Sequence, residues 1–400
     1  MNKLKIEFLR VFFLLSIFLL STNFISAQVA VKAEMIYTMA GNILENGIIL
    51  CENGKITEIG KADEISIPPD YQIVEGKIVT PGLIDAHSVV GLAGIYNRDQ
   101  DQDQLEKSDP IQPELRAIDA FNPKEKLVSW LSSFGVTTIN TGHAPGALSS
   151  GQTMVVKTDG NFNESIIDTT SAVVFSLGTE VAKVFKSPGT RPKGIAMLRN
   201  ALYKAEDYKK KMKKGDTPKN LKNEAFLLVL DKKVPAIITA NTAVDILGAI
   251  RLAKEFNFDL ILDGAAESYL VIKEIKAAGI PIILHPMMAR TKNISYETPK
   301  LLAENGIVFA IQSGYESYVP KTRNVLFEAA IAASNGLTFE EALAAITISP
   351  SKILKIDSNV GSIEVGKDAD IVVFDEDPFE YTSHVCSVIL NGKIVHTGCK

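Results

Sequence analysis

Cysteine is scarce in this 400-residue chain, with only Cys51, Cys386 and Cys399. Three cysteines with no CxxC pair exclude a disulfide-framework scaffold and a zinc knuckle. Excess positive charge is absent too. Lys and Arg number 42 against 47 Asp and Glu, a formal charge of −5, so nothing draws the chain electrostatically to nucleic acid or anionic lipid. No glycine-rich nucleotide fingerprint follows an expected strand, and no Gly-x-Ser-x-Gly elbow occurs. What is present is ordinary for a globular protein: 46% hydrophobic and 22% charged residues, which excludes a disordered chain or a fibre.

The first 27 residues stand apart. Lys3, Lys5 and Arg10 make a basic start, residues 11–20 are mostly apolar, and Ile25-Ser26-Ala27 ends on a small residue. This reads as a secretory signal peptide cut after Ala27. The apolar core is short of the ~20 residues a spanning helix needs, and no later stretch is long enough either. The expected location is therefore periplasmic or secreted, with no membrane span after cleavage. Lys3, Lys5 and Arg10 against Glu7 carry +2, so the remaining chain carries −5 − 2 = −7. At least one cysteine stays unpaired, and Cys51 can meet Cys386 if the chain ends share a domain.

Both ends look like β-sheet pieces. Residues 28–80 alternate apolar and polar, with Asn46-Gly47 and Asn53-Gly54 as hairpin signals. The tail repeats the pattern around Asn391-Gly392. Between them, apolar runs at 79–86, 136–141, 154–157, 172–178, 236–241, 260–265, 281–285 and 307–313 alternate with helix-like stretches. Strands alternating with helices predict parallel βα units, and eight of them fit a (β/α)₈ TIM-like barrel. The clearest helix spans 195–214, with Leu198, Leu202 and Ala205 on one face and lysines opposite. The expected organisation is a signal peptide at 1–27, an accessory β-sandwich from 28–80 and 358–400, and a barrel at 81–357.

Val79-Thr80-Pro81-Gly82-Leu83-Ile84-Asp85-Ala86-His87 resembles the first barrel strand of the metal-dependent amidohydrolase superfamily. Gly361-Ser362-Ile363-Glu364-Val365-Gly366-Lys367-Asp368-Ala369-Asp370 resembles the turn by which such chains re-enter the accessory domain. Gly135-Val136-Thr137-Thr138 looks like the second strand, and Ser349-Pro350-Ser351 stands where the family commonly has Asn-Pro-Ala. The likeness covers nearly all of 30–395 and points to imidazolonepropionase-like hydrolases. It implies cleavage of C–N (non-peptide) or related bonds with zinc or another divalent metal at the C-terminal mouth of the barrel.

Strand by strand, that resemblance also implies what is missing. The first strand of the family ends His-x-His; here it reads His87-Ser88-Val89. The fifth-strand His-Ala-His is Thr239-Ala240-Asn241, the sixth-strand Glu-His-Gly is Asp263-Gly264-Ala265, and the final Ser-Asp is Ser313-Gly314. His87 alone survives, whereas a catalytic divalent site keeps about three protein ligands. Loss of the last Asp removes the proton shuttle. The expectation is a pseudoenzyme without catalytic residues or cofactor.

Three functions stay open from these residues: a non-catalytic binding or partner subunit, a hydrolase with a rebuilt metal site on His87, His143 and His285, and an ordinary hydrolase with misaligned ligands. The first expects a pocket of ~300–1,000 Å³ at the mouth, lined by His87, Asn241, Asp263 and Ser313 and overhung by the acidic loop 97–110. Its occupant would be a small-molecule ligand or a neighbouring chain's loop. A homo-oligomer, or a partnership with an intact relative, is the expected assembly. Asp99, Asp101 and Asp103 imitate a calcium loop but lack its later ligands. Lys209 to Lys214 ends a helix, where cations favour the dipole. Ser149-Ser150-Gly151-Gln152 reads as a turn into the third strand, and His384 and His396 as surface residues.

Overall fold

A computed structural model describes residues 28–96, 98–162, 164–215, 217–287, 293–315 and 325–399. The expected signal peptide lies outside the described residues. Two sheets form the frame. The first has seven strands, β1 (Val29–Tyr37), β2 (Ile43–Glu52), β3 (Lys55–Lys61), β4 (Gln72–Pro81), and from the tail β13 (Ile371–Phe374), β14 (Val385–Leu390) and β15 (Lys393–Thr397). Its order is β15-β14-β13-β4-β1-β2-β3. The chain ends join where β13 pairs antiparallel with β4. Val31, Ile49, Val79, Ile371 and Ile389 bury one face, as period-2 alternation requires. Asn53-Gly54, both at positive φ, turns β2 into β3. Asn46-Gly47 does not turn the chain. It lies inside β2, where Asn46, at φ 50°, interrupts the ladder with β1.

The second sheet contains β5 (Leu83–Ser88), β6 (Val136–Gly142), β7 (Ser149–Lys157), β8 (Ile166–Ser176), β9 (Ala236–Ala240), β10 (Leu260–Gly264), β11 (Ile282–Leu284) and β12 (Phe309–Ile311), in sequence order. It is the expected barrel, nearly closed. The seam between β12 and β5 carries side-chain bonds: Ser313 N donates to Asp85 Oδ1 at 3.2 Å, and Ser313 Oγ donates to Asp85 Oδ2. β7 departs from the parallel expectation and runs antiparallel to both β6 and β8. Residues 143–148 are too few for a parallel crossover, which needs a dozen or more, so a hairpin forms instead. Elsewhere in this sheet every neighbouring pair is parallel. The expected helix is Arg191–Met212, with Leu198, Leu202 and Ala205 buried. Its lysine end is ion-paired: Lys209 with Asp231, Lys210 with Asp207.

Layers inside the barrel set up the site. Ala86, Ala172, Ile237, Ile261, Ile283 and Ala310 pack together with Ile353. Two residues further along, the same inward parity brings Thr239, Asp263, His285 and Gln312 to the C-terminal mouth.

The opposite face carries an ion cluster between the sheets. Lys157, at the end of β7, pairs with Asp370 and lies 2.8 Å from Asp368. Gly82 N also donates to Asp370 O at 2.8 Å. The re-entry motif and the first-strand motif are therefore in contact.

The cysteine expectation is corrected. Cys386 pairs with Cys399, not Cys51. The β14–β15 pairing, Ser387 opposite Thr397, brings the open end of this hairpin together and makes Cys386 and Cys399 neighbours, while Cys51 is buried and free in β2. Burial, with Asp370 adding to it, pushes the Cys51 thiol up to about 12.

Candidate active-site mouth

Asp263 ends β10 fully buried, and four side chains donate to its carboxylate. Oδ1 is 3.1 Å from His87 Nδ1 and 2.8 Å from Gln312 Nε2. Oδ2 accepts from Thr239 Oγ1 at 2.5 Å and from the Tyr315 hydroxyl. Each donor comes from a different place: the end of β5, the residue after β12, β9, and the loop beyond β12. Burial works to raise the Asp263 pKa. The His87 charge and the hydrogen bonds from His87, Thr239 and Tyr315 outweigh it and hold the carboxyl below its usual range. Burial and the Asp263 charge together raise the Tyr315 phenol well above its ordinary value, which keeps it a donor. The Tyr315 ring also stands edge-on to His87 at 4.8 Å between centroids.

A second buried carboxylate, Asp85, faces the seam. Burial pushes it up to about 6, against the Ser313 hydrogen bonds that favour its charged form. Asn241 follows β9, and its Oδ1 is buried without a partner. A Cβ at Gly264 would lie 2.6 Å from that oxygen, and φ there is +76°. The space expected from the glycine is thus occupied by the asparagine beside it.

Of the expected pocket residues, His87 and Asp263 touch directly, Asn241 packs on Gly264, and Ser313 belongs to the seam with Asp85. The rebuilt trio is not gathered. Among the described residues, the group of three His, Cys, Asp or Glu side chains with ligand atoms within 4.8 Å of one another is Asp375, Cys386 and Cys399, in the tail sheet. His143 packs against Gly151, whose φ is +138° and whose Cβ would sit 2.2 Å from the ring. Burial pushes His143 down to about 4, against a hydrogen bond with the Gln104 backbone that favours its charged form. His285 Nδ1 lies 3.0 Å from Pro286 O. His384 is exposed beside Asp375, and His396 lies on the tail sheet.

The family's metal can be tested against these donors. His87 offers a buried, unpartnered Nε2, but both Asp263 oxygens are taken by protein donors, and among the described residues no third His, Cys, Asp or Glu joins the pair within ligand distance. Thr239 and Gln312, which complete the shell, are weak zinc ligands. The described residues do not fit a catalytic divalent ion. Sequence reasoning missed Gln312, Tyr315 and Asp85 as site residues. Inward parity with Ala310 marks Gln312, and Asp85 stands two residues from His87. Tyr315 carries no sequence signal, because its place depends on how the chain leaves β12.

Residues 78–395 match the profile of the amidohydrolase family. The chain belongs to that family. An amidohydrolase of Thermotoga maritima has the same fold, with TM-score 0.86 and 30% identity over 92% of this chain and all of that one. The imidazolonepropionase of Thermoplasma volcanium is 26% identical over 88% of this chain and 91% of its own length. The amidohydrolase tasK of Hapsidospora irregularis is 25% identical over 86% of this chain, but the chain spans only 39% of that protein. Molinate hydrolase shares the fold at TM-score 0.59 and 14% identity.

Proposed function

We propose that this amidohydrolase is a non-catalytic binding or partner subunit, exported across a membrane and free of a structural or catalytic metal. The observation that carries this is the saturated Asp263 carboxylate. A carboxylate that accepts four protein hydrogen bonds is neither an open metal ligand nor a free general base. Val89, Asn241, Gly264 and Gly314 supply no replacement. Export is supported by the basic and apolar start of the sequence and by the Cys386–Cys399 disulfide, a bond kept in oxidising compartments. Among the described residues no helix is long and apolar enough to cross a membrane.

The test is metal analysis of chain purified without chelators, beside hydrolysis assays on amides, lactams and N-acyl amino acids. The reading expects well under one zinc per chain and no turnover above background. Stoichiometric metal together with turnover would falsify it.

A further inference from the structure

We propose that the tail sheet holds a redox-gated metal site, in which Cys386, Cys399 and Asp375 bind zinc or a similarly soft divalent ion once the Cys386–Cys399 disulfide is reduced. Among the described residues these are the His, Cys, Asp or Glu side chains that gather as a trio, with ligand atoms within 4.8 Å of one another. The site belongs to the reduced chain and to the tail sheet, whereas the metal-free reading of the barrel mouth stands on the unreduced chain.

Three strands build the cluster. Asp375 follows β13 directly, Cys386 lies in β14, and Cys399 comes just after β15. Along the β13–β14 ladder Val373 faces Ser387 but Phe374 faces Val385, so Cys386 is the extra residue of a bulge. A bulge is a device by which a strand re-aims one side chain. Beyond it, Asp375 N donates to His384 O at 3.3 Å. The Asp375 carboxylate is fixed by the same segment. Its Oδ1 accepts from His384 N at 2.7 Å and from Ser383 Oγ at 3.4 Å, and its Oδ2 lies 3.0 Å from His384 Nδ1. Among the described residues Oδ2 thus has one partner, where each oxygen of Asp263 has two. A carboxylate oxygen accepts twice, so Oδ2 keeps a lone pair for a metal.

While the disulfide stands, neither sulfur is a thiolate, and the thiolate is the form that binds metal. A small external thiol opens the bond in two exchanges. The first thiolate attacks one sulfur and forms a mixed disulfide; a second attacks that, so two external thiols leave as their own disulfide and both cysteines are left as thiols. Cys399 is exposed, which gives the first exchange access. The opened hairpin then gathers two thiols and a carboxylate. Among the described residues the ion-pair partner of Asp375 is His384, and Lys77 nearby is engaged by Glu376. A divalent ion replaces the two thiol protons, which pass to solvent. Two thiolates with one carboxylate suit zinc, at Zn–S ~2.3 Å and Zn–O ~2.0–2.2 Å, and leave the fourth tetrahedral position to water. Magnesium and calcium take oxygen ligands and are excluded. Zinc and the disulfide are alternative closures of one hairpin end, and each prevents the other.

The test uses the whole folded chain, reduced with a phosphine, freed of it and titrated without air with cobalt(II) alone. The expected result is a saturable thiolate-to-cobalt charge-transfer band at one ion per chain, bleached by zinc and absent from the unreduced chain. Cys51→Ser should leave the band unchanged, and Cys399→Ser, in the exposed tail where folding is not at stake, should abolish it. Asp375→Ala and His384→Ala should each weaken binding at least about tenfold. A reduced chain without the band overturns the proposal. So does a band that survives Cys399→Ser, or one that forms equally well in Asp375→Ala, since either places the ion on other ligands. Cobalt taken up with no sulfur band, in reduced and unreduced chain alike, overturns this site and the metal-free mouth together.

Discussion

His87 Nδ1 and Asp263 Oδ1 are 3.1 Å apart, and neither side chain is exposed to solvent. The pair joins the ends of β5 and β10 across the barrel mouth. It uses His87 Nδ1 as a partner for the Asp263 carboxylate. Tyr315, Thr239 and Gln312 complete the shell around the same carboxylate.

Asp263→Asn should destabilise the chain strongly. It removes the charge that orients His87 and leaves two of the four donors without an acceptor, because each carboxylate oxygen accepts two. Breaking one partner of a buried pair typically costs about 3–5 kcal/mol. Urea unfolding at neutral pH measures it; a change within about 0.5 kcal/mol, the range of ordinary surface substitutions, contradicts the described shell.

Asp85 gives a pH-dependent term of known sign. Its folded pKa of about 6 lies above the ordinary 3.8, so the folded chain holds a proton that the unfolded chain has released. The stability this contributes is full below about 4 and is lost as pH rises through about 6. A shift of about two units corresponds to roughly 3 kcal/mol. Asp263, whose pKa is lowered, works in the opposite sense at more acidic pH. The wild type should therefore be compared with Asp85→Asn, whose stability relative to wild type should rise between pH 4 and pH 8. Parallel melting curves across that range would remove Asp85 as the titrating group.

Lys157 carries the link between the two sheets. Its side chain is 3% exposed and neutralises Asp370, itself 4% exposed, together with Asp368. Burial raises Asp370, and Lys157 opposes that rise. Lys157→Met leaves two partly or fully buried carboxylates without their shared cation, a loss of about 3–5 kcal/mol. Lys157→Met with Asp370→Asn should recover part of it, because the uncompensated charge is gone. Equal stability of the single and double variants refutes the pairing.

Thiol counting checks the tail. Unreduced chain should show no reactive thiol when folded, since Cys51 is buried with its pKa pushed to about 12 and the thiolate is the reactive form. Denatured without reductant it should show one thiol, and after reduction all three cysteines. One thiol that maps to Cys386 or Cys399 overturns the pairing.

Much of this protein was decided locally. The alternation in 28–80 and in the tail determined strands, because side chains of period two can bury only one face of a sheet. The 195–214 pattern determined a helix by the same logic at period 3.6. The two motifs, ending at His87 and running through Asp370, marked the barrel's entry and exit. Tertiary structure alone decided how the mouth was assembled. The direction of β7 followed from how little chain joins it to β6. The cysteine partner followed from the β14–β15 register rather than from proximity of the chain ends. Asp263 became saturated because four segments distant in sequence meet at one mouth, and a hydrogen bond between side chains that far apart has no local signature for a sequence to display.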